Sequence, residues 1–241
     1  MATFLLVHCG FAGGWTWREV ERRLRATGHE VHSPTLSGLG ERAHLAAPDT
    51  DLDLHVQDLA GVIRCEELEG IVMVASSSGA MAATGVAHRM PERFSQLIYL
   101  DTLIPEHGQC WMELLGPAVS APLLDAARRF GDGWRVPRDD VQPPRWVAQP
   151  LRTVTQPLEG RNPAVAKIPH AYVHCTAKPE GWFFGLGEVI AAQAERASAA
   201  GWAYFELPTD HLPMISAPAL LAELLEHIVQ GPRGDAVAAR G

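Results

Sequence analysis

Near-continuous apolar runs alternate along this chain with stretches whose apolar residues recur three and four apart. Thr3 to His8 (TFLLVH) and Ile71 to Ala75 (IVMVA) are such runs, the pattern of strands covered on both faces. Glu30 to His32, Leu97 to Leu100, Ala171 to Cys175 and Trp202 to Leu207 predict four further strands. Between them, Trp15 to Thr27 is helical in period and Gly28 stops it. Leu52 to Cys65 is a second helical stretch with Leu54, Val56, Leu59 and Ile63 as its apolar positions, and Ser76 to Met90 reads as a helix rich in small residues. A last helix is expected from about Ser216, as N-cap, to Gln230.

Strands alternating with helices predict an α/β protein with a doubly wound, mostly parallel sheet. One stretch breaks the rhythm. Residues 103–168 hold nine of the eighteen prolines and three of the seven tryptophans. That is too long for an ordinary connection, so we read it as a helical lid inserted after the strand ending near Leu100. The core is then 1–102 with 169–230, and 231–241 is expected to be a disordered tail.

Composition narrows the function classes. The 241 residues are 47% hydrophobic, with a net charge of −8 at neutral pH. That balance argues against nucleic-acid binding, which needs basic patches. No apolar run is long enough for a membrane span, and the N-terminus lacks a basic leader, so we expect a cytoplasmic protein. Cys9, Cys65, Cys110 and Cys175 are widely spaced without a CxxC pair, which predicts reduced thiols and no metal site. No phosphate loop or haem motif occurs, and no cofactor is expected.

The chemistry centres on Ala75-Ser76-Ser77-Ser78-Gly79, where a buried strand runs into a small-residue helix. It departs by one residue from the G-x-S-x-G elbow, which forces its central serine into a strained turn and needs small neighbours on either side. Ser77 is thus a candidate nucleophile, and the Ser78 N–H at the helix start would face a developing oxyanion. A serine nucleophile needs a base. Of eleven histidines, His211 lies just past the strand Trp202–Leu207, where a loop can reach the same edge. His8, ending the first strand, reads as ordering its loop. The base needs a carboxylate partner. Asp101 directly follows a strand, Glu180 lies beyond another, and Asp210 is too close to His211 to orient it.

Four stretches add a family resemblance: LLVHCGFAGGWTWREV, SPTLSGLGERAHL, VAHRMPERFSQLIYLDTLIPEHG and DHLPMISAPALLAELL. Over residues 3–228 the chain resembles the α/β-hydrolase superfamily. The similarity is to its small branch of hydroxynitrile lyases, plant methyl esterases and bacterial relatives. The resemblance implies Ser77 as nucleophile, His211 as base, Gly10 and Ser78 as backbone oxyanion donors, and a cap after Leu103.

Three positions depart from the family pattern. Ala75 replaces the leading elbow glycine. Cys9 replaces the glycine after the oxyanion-loop histidine. Lys178 stands where the triad aspartate belongs, in Cys175-Thr176-Ala177-Lys178. We expect Asp101 to supply the acid from the neighbouring strand; Glu180, or no acid at all, are the alternatives. The lyase branch carries a lysine just after the base, where this chain has the esterase-like Leu212.

Phe11, Trp111, Leu115, Trp134, Lys178, Trp182 and Leu212 are expected to line a substrate pocket. Trp146, Phe183 and Phe184 are further aromatics for it. The expected partner is a small apolar or aromatic molecule, the expected assembly a monomer or homodimer. The reading that follows is a serine hydrolase of an ester, lactone or thioester. A cofactor-free lyase, isomerase or cyclase of specialised metabolism is the alternative, and a ligand-binding protein with a decayed triad the third.

Overall fold

The computed structural model describes residues 1–137 and 145–231. Six parallel strands form one sheet in the order β2-β1-β3-β4-β7-β8. They are β1 (Thr3–Val7), β2 (Glu30–His32), β3 (Ile71–Ser76), β4 (Phe94–Leu100), β7 (His170–Cys175) and β8 (Ala203–Leu207). Period-two alternation sends their side chains to two faces. Leu5, Val7, Met73, Ala75, Leu97 and Tyr99 enter one core, beneath α2 (Leu52–Cys65) and α3 (Gly79–Arg89). Phe4, Leu6, Val72, Val74, Ile98 and Leu100 enter the other, beneath α1 (Arg18–Ala26) and α8 (Pro218–Gln230).

The chain between β4 and β7 departs from the sheet. It holds α4 (Trp111–Phe130), the antiparallel pair β5 (Arg135–Val136) and β6 (Gln149–Pro150), and the short α5 (Arg152–Thr155). Gly116, at φ 72°, kinks α4 one residue before Pro117, which cannot donate into the helix ladder. The stretch expected to be a tail lies, apart from Gly231, outside the described residues.

Three expectations change. Ser76 ends β3 instead of opening a helix, and α3 starts at Gly79. Ser216 is not the cap of the last helix. It closes the short α7 (Pro213–Ser216), and Ala217 precedes α8, whose first residue is Pro218. Proline suits that first position because the N–H it lacks would be unbonded there. A long helix absent from the sequence reading, α6 (Trp182–Ala199), joins β7 to β8. Among the described residues, no helix is long and apolar enough to cross a membrane.

Candidate active site

The turn between β3 and α3 places Ser77 at the C-terminal edge of the sheet with φ 51°. A non-glycine residue holds that conformation only where its surroundings enforce it. Here they do. Thr102 donates its hydroxyl to the Ser77 carbonyl at 2.6 Å, and Ala80 N–H donates to the same oxygen at 3.0 Å. Gly79 is required by space, because a Cβ there would sit 2.3 Å from the His8 carbonyl oxygen. Ala75 has no such restriction. Its methyl is buried in the core of the α2–α3 face, so the elbow forms without the leading glycine.

The loop after β1 passes beside the elbow. His8 is fully buried, and desolvation by burial lowers its pKa from 6.5 to about 4, so the ring is neutral. Its Nδ1 lies 2.8 Å from the Cys9 carbonyl, and its Nε2 accepts the Leu36 N–H at 3.1 Å. This is the loop-ordering part expected of it. Gly10 packs against Ser78, where an added Cβ would meet the serine Oγ at 2.7 Å. Among the described residues, no acceptor takes the N–H of Gly10 or of Ser78. Both residues line the cavity above Ser77.

Asp101 follows β4, is fully buried and has φ 46°. Its Oδ2 lies 2.7 Å from His211 Nδ1. Its Oδ1 accepts the Cys175 N–H at 2.9 Å and the Lys178 ammonium at 2.7 Å. Lys178 also donates to the Cys175 carbonyl. Burial alone would raise the carboxyl's pKa. The hydrogen bond and charge of His211, then those of Lys178, outweigh it and hold the carboxyl below its usual value. The Tyr172 hydroxyl fixes the next residue, taking the Thr102 N–H at 3.2 Å and donating to the Thr102 carbonyl at 2.6 Å. The Cys175 thiol is pushed up to about 12 by burial and then by the charge of Asp101, which leaves it unreactive.

The other carboxylates stand apart. Glu180 is exposed. Asp210 accepts from Leu212 N–H at 2.9 Å and Ser216 Oγ at 2.8 Å, capping its own turn. Ser77 and His211 face one cavity, partly open to solvent. Phe11, Trp111, Leu115, Trp182 and Leu212 line it as expected, and Trp146 and Phe183 join them. Trp182 lies 4.8 Å from the His211 ring, centroid to centroid.

Two expected lining residues do not line the cavity. Trp134 sits against the Arg135 guanidinium, 5.1 Å from its ring centroid, because the β5–β6 pairing turns it away. Lys178 points to Asp101, since a nearly buried ammonium needs a counter-charge more than an apolar wall can offer. Cys9, noted in the sequence only as a departure from the family pattern, lines the cavity as well; Leu123 and Leu186 beside it, and the buried Gln149, which contacts the Gly10 loop, were not singled out by the sequence. Nothing about a lone glutamine in an inserted stretch marks it in advance. Among the described residues, no cluster suits a metal ion.

A model described as "Alpha/beta hydrolase family" matches residues 4–224. The "Carbendazim hydrolyzing esterase" of Nocardioides sp. (strain SG-4G) is 43% identical over 128 residues, covering 52% of this chain and 53% of that protein. "Methyl jasmonate esterase 1" of Vitis vinifera is 26% identical over 103 residues, covering 42% of this chain and 40% of that one. The chain thus spans about half the length of the curated relatives it matches. An extracellular α/β-hydrolase from a Paenibacillus species has a solved structure that superposes with a TM-score of 0.76 at 19% identity, covering 93% of this chain and 98% of its own. That last likeness is one of fold.

Proposed function

The chain belongs to the α/β hydrolase family, and from that premise we propose that it hydrolyses a small apolar or aromatic ester, lactone or thioester. Ser77 is the nucleophile, His211 the base, Asp101 the acid, and the N–H groups of Gly10 and Ser78 the oxyanion donors. The single observation that carries this reading is the 2.7 Å bond from Asp101 Oδ2 to His211 Nδ1. It fills the role left open when Lys178 displaced the usual aspartate, and it leaves the far ring nitrogen for the serine. The word esterase in the names of both curated relatives supports the reading.

The steps follow from the arrangement. Ser77 Oγ attacks the substrate carbonyl carbon while its proton passes to His211 Nε2. The carbonyl oxygen becomes an anion facing the Gly10 and Ser78 N–H groups. Asp101 stabilises the imidazolium without taking its proton. Collapse of the intermediate breaks the bond to the leaving alcohol or thiol, which takes the proton from Nε2. Water then attacks the acyl-Ser77 carbonyl and gives a proton to His211 Nε2; collapse breaks the bond to Ser77 Oγ, which takes that proton back, and the acid is released.

The apolar walls contributed by Trp111, Leu115, Trp146 and Trp182 favour an uncharged substrate with a flat or bulky apolar group. The described residues inserted between β4 and β7 act as the lid of this cavity, supplying Trp111, Leu115, Leu123 and Trp146.

The test is labelling with a fluorophosphonate probe, read by intact mass and peptide mapping, with Ser77→Ala as control. Stoichiometric labelling at Ser77 is the expected result. A folded protein that takes no label would overturn hydrolysis through Ser77 and favour a lyase, isomerase or cyclase that does not acylate.

A further inference from the structure

We propose that Gln149 is a positioning residue for the oxyanion loop, through which the inserted segment holds the peptide at Phe11 in its working orientation. The inference rests on the reading of Gly10 and Ser78 as oxyanion donors.

Phe11 follows Gly10 directly and has φ 62°. A bulky residue keeps that conformation only under outside constraint. The constraint comes from more than 130 residues further along the chain. Gln149 Oε1 accepts the Phe11 N–H at 2.9 Å, and Val147 N–H donates to the Phe11 carbonyl at 2.8 Å. Both polar groups of one strained residue are therefore bound by the segment leading into β6.

Gln149 is itself fixed. It is 3% exposed, and its Nε2 donates to Thr153 Oγ1 at 2.6 Å. The Thr153 hydroxyl in turn donates to the Pro150 carbonyl at 2.6 Å. With its amide nitrogen committed to Thr153, the glutamine presents only its oxygen to the loop. The fit leaves no slack: a Cβ at Gly10 would lie 3.2 Å from Gln149 Oε1 as well as 2.7 Å from Ser78 Oγ. Loop, elbow and glutamine thus meet at Gly10.

The consequence is directional. The Phe11 N–H turns to Gln149, which fixes the Gly10–Phe11 peptide on one side of the Gly10 Cα; the Gly10 N–H lies on the other side, in the Cys9–Gly10 peptide, whose carbonyl is 2.8 Å from His8 Nδ1. Without the Gln149 acceptor, the backbone about Gly10, which has no side chain to restrict it, loses an anchor, and the Gly10 N–H loses part of its fixed aim. Oxyanion donors act only when placed in advance about 2.7–3.1 Å from where the charge develops.

The experiment compares wild type, Gln149→Met and Thr153→Val in hydrolysis of p-nitrophenyl acetate and in the rate of fluorophosphonate labelling at Ser77. Gln149→Met keeps the volume and removes the acceptor. Its kcat should fall about 10- to 100-fold, less than the about 10²- to 10³-fold expected for losing a donor outright, with KM within about threefold. Labelling should slow in parallel, because the phosphonyl oxygen uses the same donors.

Thr153→Val, which frees the amide nitrogen and the Pro150 carbonyl but leaves the Gln149 acceptor in place, should show a smaller fall of the same kind. A folded Gln149→Met with kcat and labelling within about twofold of wild type overturns the proposal, as does a change confined to KM. A merely structural role would lower Tm without splitting kcat from KM. If Gln149→Met does not fold, Thr153→Val decides: a lower kcat at constant KM supports the proposal, and an unchanged kcat overturns it. Failure of the wild type to label at Ser77 instead removes the reading on which the inference stands.

Discussion

Lys178 places its ammonium 2.7 Å from one oxygen of Asp101 while His211 lies 2.7 Å from the other. One buried carboxylate therefore serves two side-chain nitrogens, besides the Cys175 N–H. Lys178, which stands where the resemblance places the triad aspartate, is thus a partner of Asp101, the carboxylate proposed for that role. A carboxylate this deeply buried needs such company, since an unpaired charge in the interior costs several kcal/mol.

Asp101→Asn tests the assignment of the acid. The amide cannot carry the charge that stabilises the imidazolium, and it leaves the Lys178 ammonium without its counter-charge. Loss of the corresponding charge in serine proteases lowers kcat by about 10⁴-fold, and a fall of that order is expected here. Steady-state kinetics on an activated ester reads it, and a near-normal rate in a folded Asp101→Asn protein would reject Asp101 as the acid.

Lys178→Met tests the second partner. The variant should lose stability, because the buried Asp101 carboxylate then keeps His211 and the Cys175 N–H but not the ammonium as partners. Thermal unfolding reads the loss, and a Lys178→Met protein with the wild-type Tm would show that the ammonium does not support the buried carboxylate.

The limits of sequence reading lie in identifiable residues. The central strands were legible because a covered parallel strand is a nearly unbroken apolar run, as in Ile71 to Ala75, whereas the edge strands β2 and β8 are short and part-exposed and carried no such run. The elbow was legible because small residues flank Ser77 on both sides, and at Gly79 the smallness has a steric reason, a Cβ there lying 2.3 Å from the His8 carbonyl oxygen. Helix α6 was not legible. It opens on Trp182-Phe183-Phe184-Gly185, where Phe183, Phe184 and Gly185 have φ 47°, 58° and 89°, so tertiary contacts set a start that no cap announces. The pairing of Lys178 with Asp101 was also hidden, because it joins side chains 77 positions apart on neighbouring strand ends. Trp134 misled because aromatic content shows that a residue packs, without showing on which side of a short hairpin.

His8 makes stability depend on pH. Its pKa is 6.5 when unfolded and about 4 when buried. Between those values the unfolded chain binds the extra proton, so stability rises with pH through that window. The contribution is complete above 6.5 and is lost as pH falls toward 4, a change of about 3 kcal/mol. His55, whose pKa burial also lowers, adds in the same direction. Urea unfolding near neutral pH and at about pH 5 should show the loss, and His8→Gln should flatten the slope by up to one proton. A slope unchanged by that substitution would mean that His8 titrates alike in both states.

The two small residues flanking the elbow should answer differently to substitution. Gly79→Ala drives a methyl to 2.3 Å from the His8 carbonyl oxygen, and backbone at the end of a buried strand cannot step aside. Overpacking of this kind costs about 1–3 kcal/mol or more. It also displaces His8 and with it the loop that carries Gly10, so the rate should fall even in protein that remains folded. Ala75→Gly restores the leading glycine of the elbow. It removes one buried methyl and loosens one strand residue, together about 1–2 kcal/mol. Because Ser77 is held by Thr102 and Ala80, its turn should persist and kcat should stay within a few-fold of wild type. Thermal unfolding and ester turnover measured on both variants check this. A Gly79→Ala protein as active and stable as wild type would show that the elbow and the oxyanion loop are not packed as tightly as their geometry requires.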